Sequence, residues 1–155
     1  YSLYMIGTAV RKQAGQDAAD SANPLGRVLK VGKDNFDKDI DTLELKLAEA
    51  IMAERPAIEQ GIGFIKIISV IAPLAGLLGT VTGMIVTFQM ITLYGTGDPK
   101  LMAGGISQAL VTTVLGLLVA IPTSLLHSFT QSSARGIISI LEEQSTGILA
   151  EKAEK

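Results

Sequence analysis

Charge is absent from two long stretches of this chain, and that absence constrains it more than any motif does. Ile67 to Gly97 is 31 residues without an Asp, Glu, Lys or Arg, and Leu101 to Ala134 is 34 more. Only Asp98 and Lys100 are charged between Ile67 and Ala134, so 26 of the 28 charged residues lie in the flanks. About 20 apolar residues suffice to carry a helix across a bilayer. The chain therefore reads as all-α: a polytopic membrane protein with two complete transmembrane helices, long helical extensions and a truncated earlier span. A mean hydropathy of +0.41 agrees, since soluble domains rarely reach it.

Composition removes several functions. With no cysteine there is no disulfide framework, iron–sulfur site or thiol nucleophile. A single histidine argues against a zinc centre. A net charge of -2 lacks the basic surface that nucleic acid demands. Gly61-Ile62-Gly63 has neither the third glycine nor the preceding strand of a dinucleotide fingerprint, and Gly76, Gly79 and Gly83 are not followed by the Lys-Ser/Thr of a phosphate loop. His127-Ser128 has no supporting acid nearby. No catalytic residue, metal or cofactor is expected, and the chain reads as a non-enzyme.

The organisation follows from these stretches. Residues 1–10 are mostly apolar, end at Arg11-Lys12, and read as the end of an earlier transmembrane helix; a free interfacial segment is the other possibility. Tyr1 is not a methionine and no signal-peptide pattern follows, so the sequence reads as part of a longer chain. Residues 11–66 form a cytoplasmic helical region. In it, 14–23 is a connector, Asn23-Pro24 starts a short helix through Val31 that Gly32 ends, and a longer helix begins at Asp37. Ile40, Leu43, Leu47, Ala50 and Ile51 give that helix its apolar stripe. Pro56 marks a bend or restart, with helix running on through Ile58 towards the membrane. Residues 67–94 are a transmembrane helix, 95–100 a short periplasmic turn, and 101–134 a transmembrane helix with a cytoplasmic extension. Residues 135–155 are a cytoplasmic helix, with Ile137, Leu141, Ser145 and Ile148 at helical spacing, and a frayed tail from Glu151. Arg55, Lys66 and Arg135 flank the spans and only Lys100 sits in the turn, which puts both polar flanks in the cytoplasm.

The spans themselves are not simple anchors. In the first, Ser69, Pro73, Gly76, Thr80, Gly83 and Thr87 recur at spacings of 4, 3, 4, 3 and 4, one seam of a helix, with Gly79 on an adjacent strip. In the second, Ala109, Thr113, Gly116, Ala120, Thr123 and His127 repeat the same spacing. Small residues let helix backbones approach in lipid, so Gly76, Gly79, Gly83, Gly116 and Ala120 are read as helix-packing positions. The hydroxyls have two readings. They can bond back to their own helix, or they can line a narrow, partly wet conduit. On the second reading Thr80, Thr113, Thr87, Thr123 and Gln108 line a pore. No Asp, Glu, Lys or Arg lies inside either span, His127 sits near the cytoplasmic end and reads as an interface residue rather than a relay, and Gln108 cannot titrate. A proton-driven device needs a protonatable group at membrane depth, so another subunit must bring it.

The run APLAGLLGTVTGMI, Ala72 to Ile85, resembles the MotA/TolQ/ExbB proton-channel family, as does GGISQALVTTVLGLLVAIP, Gly104 to Pro122. Asn23 to Leu29 and Leu43 to Ile51 are similar to ExbB-like proteins of accessory TonB systems, the branch sometimes called TtpC. The resemblance implies a homo-oligomer, a pentamer, in the lipid bilayer of the bacterial cytoplasmic (inner) membrane. It also implies an ExbD- or TolR-like single-span partner carrying the titrating Asp, and a TonB- or TolA-like protein energised by proton flow. It maps pore-lining threonines onto Thr80 and Thr113. Where ExbB proteins place a Glu at the start of the last span, this chain has Gln108. The competing reading is a non-conducting scaffold whose small-residue seams serve only assembly; an intramembrane catalyst is disfavoured by the missing acids and nucleophile pairs.

Overall fold

The structure, a computed structural model, describes residues 2–13, 23–95 and 99–154. Among these there are five helices and no strand: α1 (Ser2–Gln13), α2 (Pro24–Asp34), α3 (Ile40–Ile58), α4 (Ile62–Tyr94) and α5 (Pro99–Ala153). Two of them, α4 and α5, are long and apolar enough to cross a membrane. At 1.5 Å per residue, the 33 residues of α4 rise about 50 Å and the 55 of α5 about 80 Å, both beyond the ~30 Å hydrocarbon core. The chain forms two compact units, Tyr1–Gln60 with Phe129–Lys155, and Gly61–Ser128. We call them the polar and the apolar unit.

Several boundaries differ from the sequence reading. Helix α2 continues through Gly32 to Asp34, because Gly32 is buried among side chains: a Cβ there would lie 2.8 Å from Ile148 and 3.3 Å from Leu47. Pro56 does not restart the chain but sits inside the last turns of α3. It leaves the carbonyl of Met52 without its usual amide, on an exposed residue. The break comes instead at Gly61, which has φ +82° and separates α3 from α4. Helix α4 starts at Ile62 and α5 at Pro99, each containing the residues read as a span, and Glu151 to Ala153 stay helical rather than fraying. The connector at 14–22 and the turn residues 96–98 lie outside the described residues. The turn's first residue, Gly95, caps α4 at φ +77°, donating its amide to the carbonyl of Ile91 at 2.8 Å.

The polar unit is a small helical bundle with an aliphatic core. Val10 of α1, Leu25 and Val28 of α2, Leu43 and Leu47 of α3, and Ile137 and Leu141 of α5 are all buried. Its helix starts are capped as the sequence leads one to expect. The Asn23 side chain accepts from the Gly26 amide at 2.9 Å, and Asp39 from the Thr42 amide at 2.9 Å. The Thr42 hydroxyl and amide hold the Asp39 carboxyl below its usual range. Arg27 of α2 grips Glu54 of α3 through two bonds of 2.6 Å, and that hydrogen bond pushes the guanidinium's pKa further up. At the far end of α5, Lys152 donates to the Phe36 carbonyl at 2.6 Å and lies 5.4 Å from the Phe36 ring centre.

Candidate functional site

The apolar unit is built on the two seams. Gly76 and Gly116 meet backbone to backbone: a Cβ on Gly76 would fall 3.1 Å from the Gly116 Cα, and one on Gly116 would fall 2.9 Å from the Gly76 Cα. Gly79 faces Thr112 and Gly83 faces Ala109, where an added Cβ would lie 2.6 and 2.7 Å from its nearest neighbour. Ala109 and Ala120 are buried. Gly76, Gly79, Gly83 and Gly116 thus lie where α4 and α5 approach closely, the kind of approach that small residues permit in lipid. The opposite sides are bulky. Ile67, Ile71, Leu74, Leu78, Val81 and Ile85 on α4 are all about half exposed or more, a surface suited to acyl chains.

One packing position escapes the seam as read. Gly105 faces Thr87, and a Cβ on it would sit 2.5 Å from the Thr87 hydroxyl oxygen. The signal was present: Gly105 is four residues before Ala109, so the second seam extends back by one step.

At the centre of the unit, hydroxyls gather on one carbonyl. Thr80 donates to Gly76 O at 3.1 Å, Thr112 reaches it at 3.2 Å and Thr113 at 3.4 Å. Thr80 and Thr113 are also hydrogen-bonded to each other across the helix pair, and either can be the donor. Thr112 has a nearer acceptor in Ala109 O at 2.6 Å. A carbonyl offers two lone pairs, so these hydroxyls cannot all donate to Gly76 at once. The Thr80–Thr113 pair therefore has two proton arrangements of similar connectivity: Thr113 to Thr80 to Gly76, or Thr80 to Thr113 to Gly76.

The other expected pore-lining residues do not join this pair. Thr87 is buried against α5, its hydroxyl donated to Gly83 O at 2.9 Å. Thr123 donates to Val119 O at 2.7 Å and Ala120 O at 3.1 Å. Gln108 is exposed, in an open groove of about 350 Å³ lined by Gly79, Thr82, Val86, Gly105 and Thr112 among others. Thr80 and Thr113 do not line that groove. Helical geometry explains the division. Gln108 and Thr113 are five residues apart, or roughly 140° around α5, so Thr113 lies on the seam and Gln108 off it.

Residues 20–143 match the model of the MotA/TolQ/ExbB proton channel family. A protein of Methanothermobacter thermautotrophicus described as an ExbB homolog is 34% identical over 121 residues, 76% of this chain and 41% of that protein. Biopolymer transport protein exbB1 of Vibrio cholerae is 35% identical over 100 residues, 63% of this chain and 42% of that protein. Biopolymer transport protein ExbB of Aquifex aeolicus is 47% identical over 58 residues, 37% of this chain and 39% of that protein. The chain spans about two fifths of the length of these relatives. With the family match covering both spans and most of the polar unit, the chain belongs to the MotA/TolQ/ExbB proton channel family.

Proposed function

We propose that the chain is an ExbB/TolQ-like subunit of a motor driven by the proton-motive force in the bacterial cytoplasmic membrane. It works as a homo-oligomer, a pentamer, with both polar flanks in the cytoplasm. It forms a hydroxyl-bearing wall around the single helix of an ExbD- or TolR-like partner. That helix carries the Asp, and proton flow through the pair energises a TonB- or TolA-like protein. The observation that carries this reading is the half-buried Thr80–Thr113 pair, set in a helix pair whose sequence holds no titratable acid at that depth. Labour is divided accordingly. A low-dielectric surrounding raises the partner's carboxyl pKa, so it can take a proton from one side. The two proton arrangements of Thr80 and Thr113 offer that group a donor or an acceptor as needed. Gln108, off the seam, contributes a carboxamide to a separate lining surface.

A second reading rests on one observation of its own. Every seam hydroxyl described above has an acceptor within the chain, so all of them can serve helix packing in a non-conducting scaffold. Reconstitution into liposomes under an imposed proton gradient separates the two. The chain alone is expected to leak no more than empty liposomes, and the chain with its Asp-bearing partner to pass protons. Conduction by the chain alone ends the division of labour, and no flux with the partner leaves the scaffold.

A further inference from the structure

Two polar side chains of the apolar unit find no partner inside the chain. Ser107 and Gln108 are neighbours on α5, both exposed, and neither is hydrogen-bonded to another described residue. The described threonines of this unit, by contrast, all reach a carbonyl of the chain. Ser107 and Gln108 both lie in the 34-residue stretch without Asp, Glu, Lys or Arg. An unpaired carboxamide in lipid has no water to turn to, so a hydrogen-bonding group from another chain is favoured beside it.

The two side chains point different ways. Gln108 lines the groove of about 350 Å³ beside the seam, with Gly79, Thr82, Val86 and Thr112 among its neighbours. Ser107 is two residues from the buried Ala109, roughly 160° away around the helix, on the side turned from α4. Gly104 and Val111, about one turn before and after Ser107, share that outer side and are exposed as well. A Cβ built on Gly104 meets nothing within 4 Å, and its φ is not positive. Neither packing among the described residues nor backbone angle calls for glycine there, and glycine weakens a helix interior. Close approach of a second backbone in lipid does call for it.

Depth and chemistry decide what fits the groove. Copies of a membrane chain related by rotation about the membrane normal hold each residue at one depth. On α5 the groove is lined by Gly105, Gln108, Ala109 and Thr112, and the Gly104–Val111 face spans almost the same length of the same helix. A carboxamide offers two donors and an acceptor, and a hydroxyl one donor and two lone pairs. Each copy carries one of each on different faces, so it can give its hydroxyl to one neighbour and its carboxamide to the other. Contact between unlike surfaces is heterologous, the kind that closes into rings.

We infer that the groove receives α5 of a second copy: the Gly104–Ser107–Val111 face enters it, and the Ser107 hydroxyl bonds the Gln108 carboxamide. This rests on the homo-oligomer of the proposed function and specifies its contact, and it holds for a conductor and a scaffold alike.

The chain has no native cysteine, so single-cysteine variants of the full chain mark the contact in the membrane. Ser107→Cys and Gln108→Cys chains, tagged differently and co-expressed without a partner subunit, are expected to be joined into mixed dimers by a short bifunctional thiol reagent. Ser107→Cys with Leu117→Cys, which lies about 15 Å further along α5, is expected to stay unjoined. Gly104→Leu is expected to leave the helix content unchanged by circular dichroism. It should lower self-association about tenfold or more, read by energy transfer between labelled copies in lipid vesicles. Native mass spectrometry reads the oligomer separately. An oligomer without the mixed dimer, or with Gln108→Cys joined to itself in preference, overturns this contact and leaves the oligomer standing. A monomer overturns both. Unchanged association of Gly104→Leu overturns the docking face. None of these readouts depends on proton flux.

Discussion

The polar and the apolar unit share α5 but hold it by different means. Around Leu141 the helix offers large aliphatic side chains to other large side chains, Leu43 and Leu47 among the core they build. Around Gly116 it offers almost no side chain, and backbone meets backbone at Gly76. The difference follows from the solvent. In water, burying apolar area drives association at roughly 25 cal/mol per Å². In lipid the acyl chains are as apolar as leucine, so helices gain only from close contact and hydrogen bonds. The same helix therefore reads large-and-buried in one half and small-and-buried in the other. A leucine on the apolar half, such as Leu118, is left exposed.

That contrast can be broken most severely in the polar core. Leu141→Ala is expected to destabilise the polar unit by about 2–5 kcal/mol, the usual range for a cavity in a packed core. Leu118→Ala in the apolar half should leave stability in lipid nearly unchanged. Denaturant unfolding of each purified variant measures both, and equal losses would erase the distinction between the halves. Next in size is Gly116→Leu. The neighbours that a Cβ meets there are the Ala72 carbonyl and the Gly76 backbone, which cannot rotate away, and overpacking of this kind costs about 1–3 kcal/mol. Selective loss of protease resistance between Gly61 and Ser128 is the expected readout.

A gentler change sharpens the hydroxyl side of the comparison. Thr80→Val with Thr113→Val keeps the volume and removes the shared hydrogen bond, worth about 0.6–1.7 kcal/mol between membrane helices. Assembly should survive, and proton flux with the partner should fall; full flux in the double variant would leave these threonines as packing residues alone. The smallest effect concerns Asp39. Its folded-state pKa is depressed by Thr42, so the stability it lends is present above its unfolded pKa and is lost as pH falls through the lower folded value. Asp39→Asn keeps a capping side chain without that titration. Amide exchange at the start of α3 should therefore become less acid-sensitive in the variant, and an identical acid response would deny Asp39 this role.

The parts legible in the sequence are those set by spacing. Ser69 to Thr87 and Ala109 to His127 repeat in steps of three and four, which sets Gly76 and Thr80 on one seam and Thr113 and Gly116 on the other; the packing of α4 on α5 then decides which of them meet. The stripe at Ile137, Leu141 and Ser145 likewise forecasts the buried face of α5. What spacing does not carry is which local breaker wins. Pro56 looks stronger than Gly61 as punctuation, but a proline near a helix end loses one hydrogen bond at an exposed residue, whereas a glycine can take the positive φ that ends a helix. Gly32 looks like a stop and is instead a contact point for Ile148 and Leu47, which are distant in sequence. Nor does a list of polar residues reveal flanks. Gln108 and Thr113 separate only when each is given its angle around the helix.

Helix α5 thus carries one backbone through two media, and temperature acts on the two differently. Hydrophobic association in water weakens on cooling, whereas contact between the Gly76 and Gly116 backbones draws on dispersion forces that do not depend on water structure. Chilling accordingly loosens the end of α5 held by Ile137 and Leu141 while the end held by Gly116 stays tight, so a single continuous helix has a cold-labile half and a cold-resistant half.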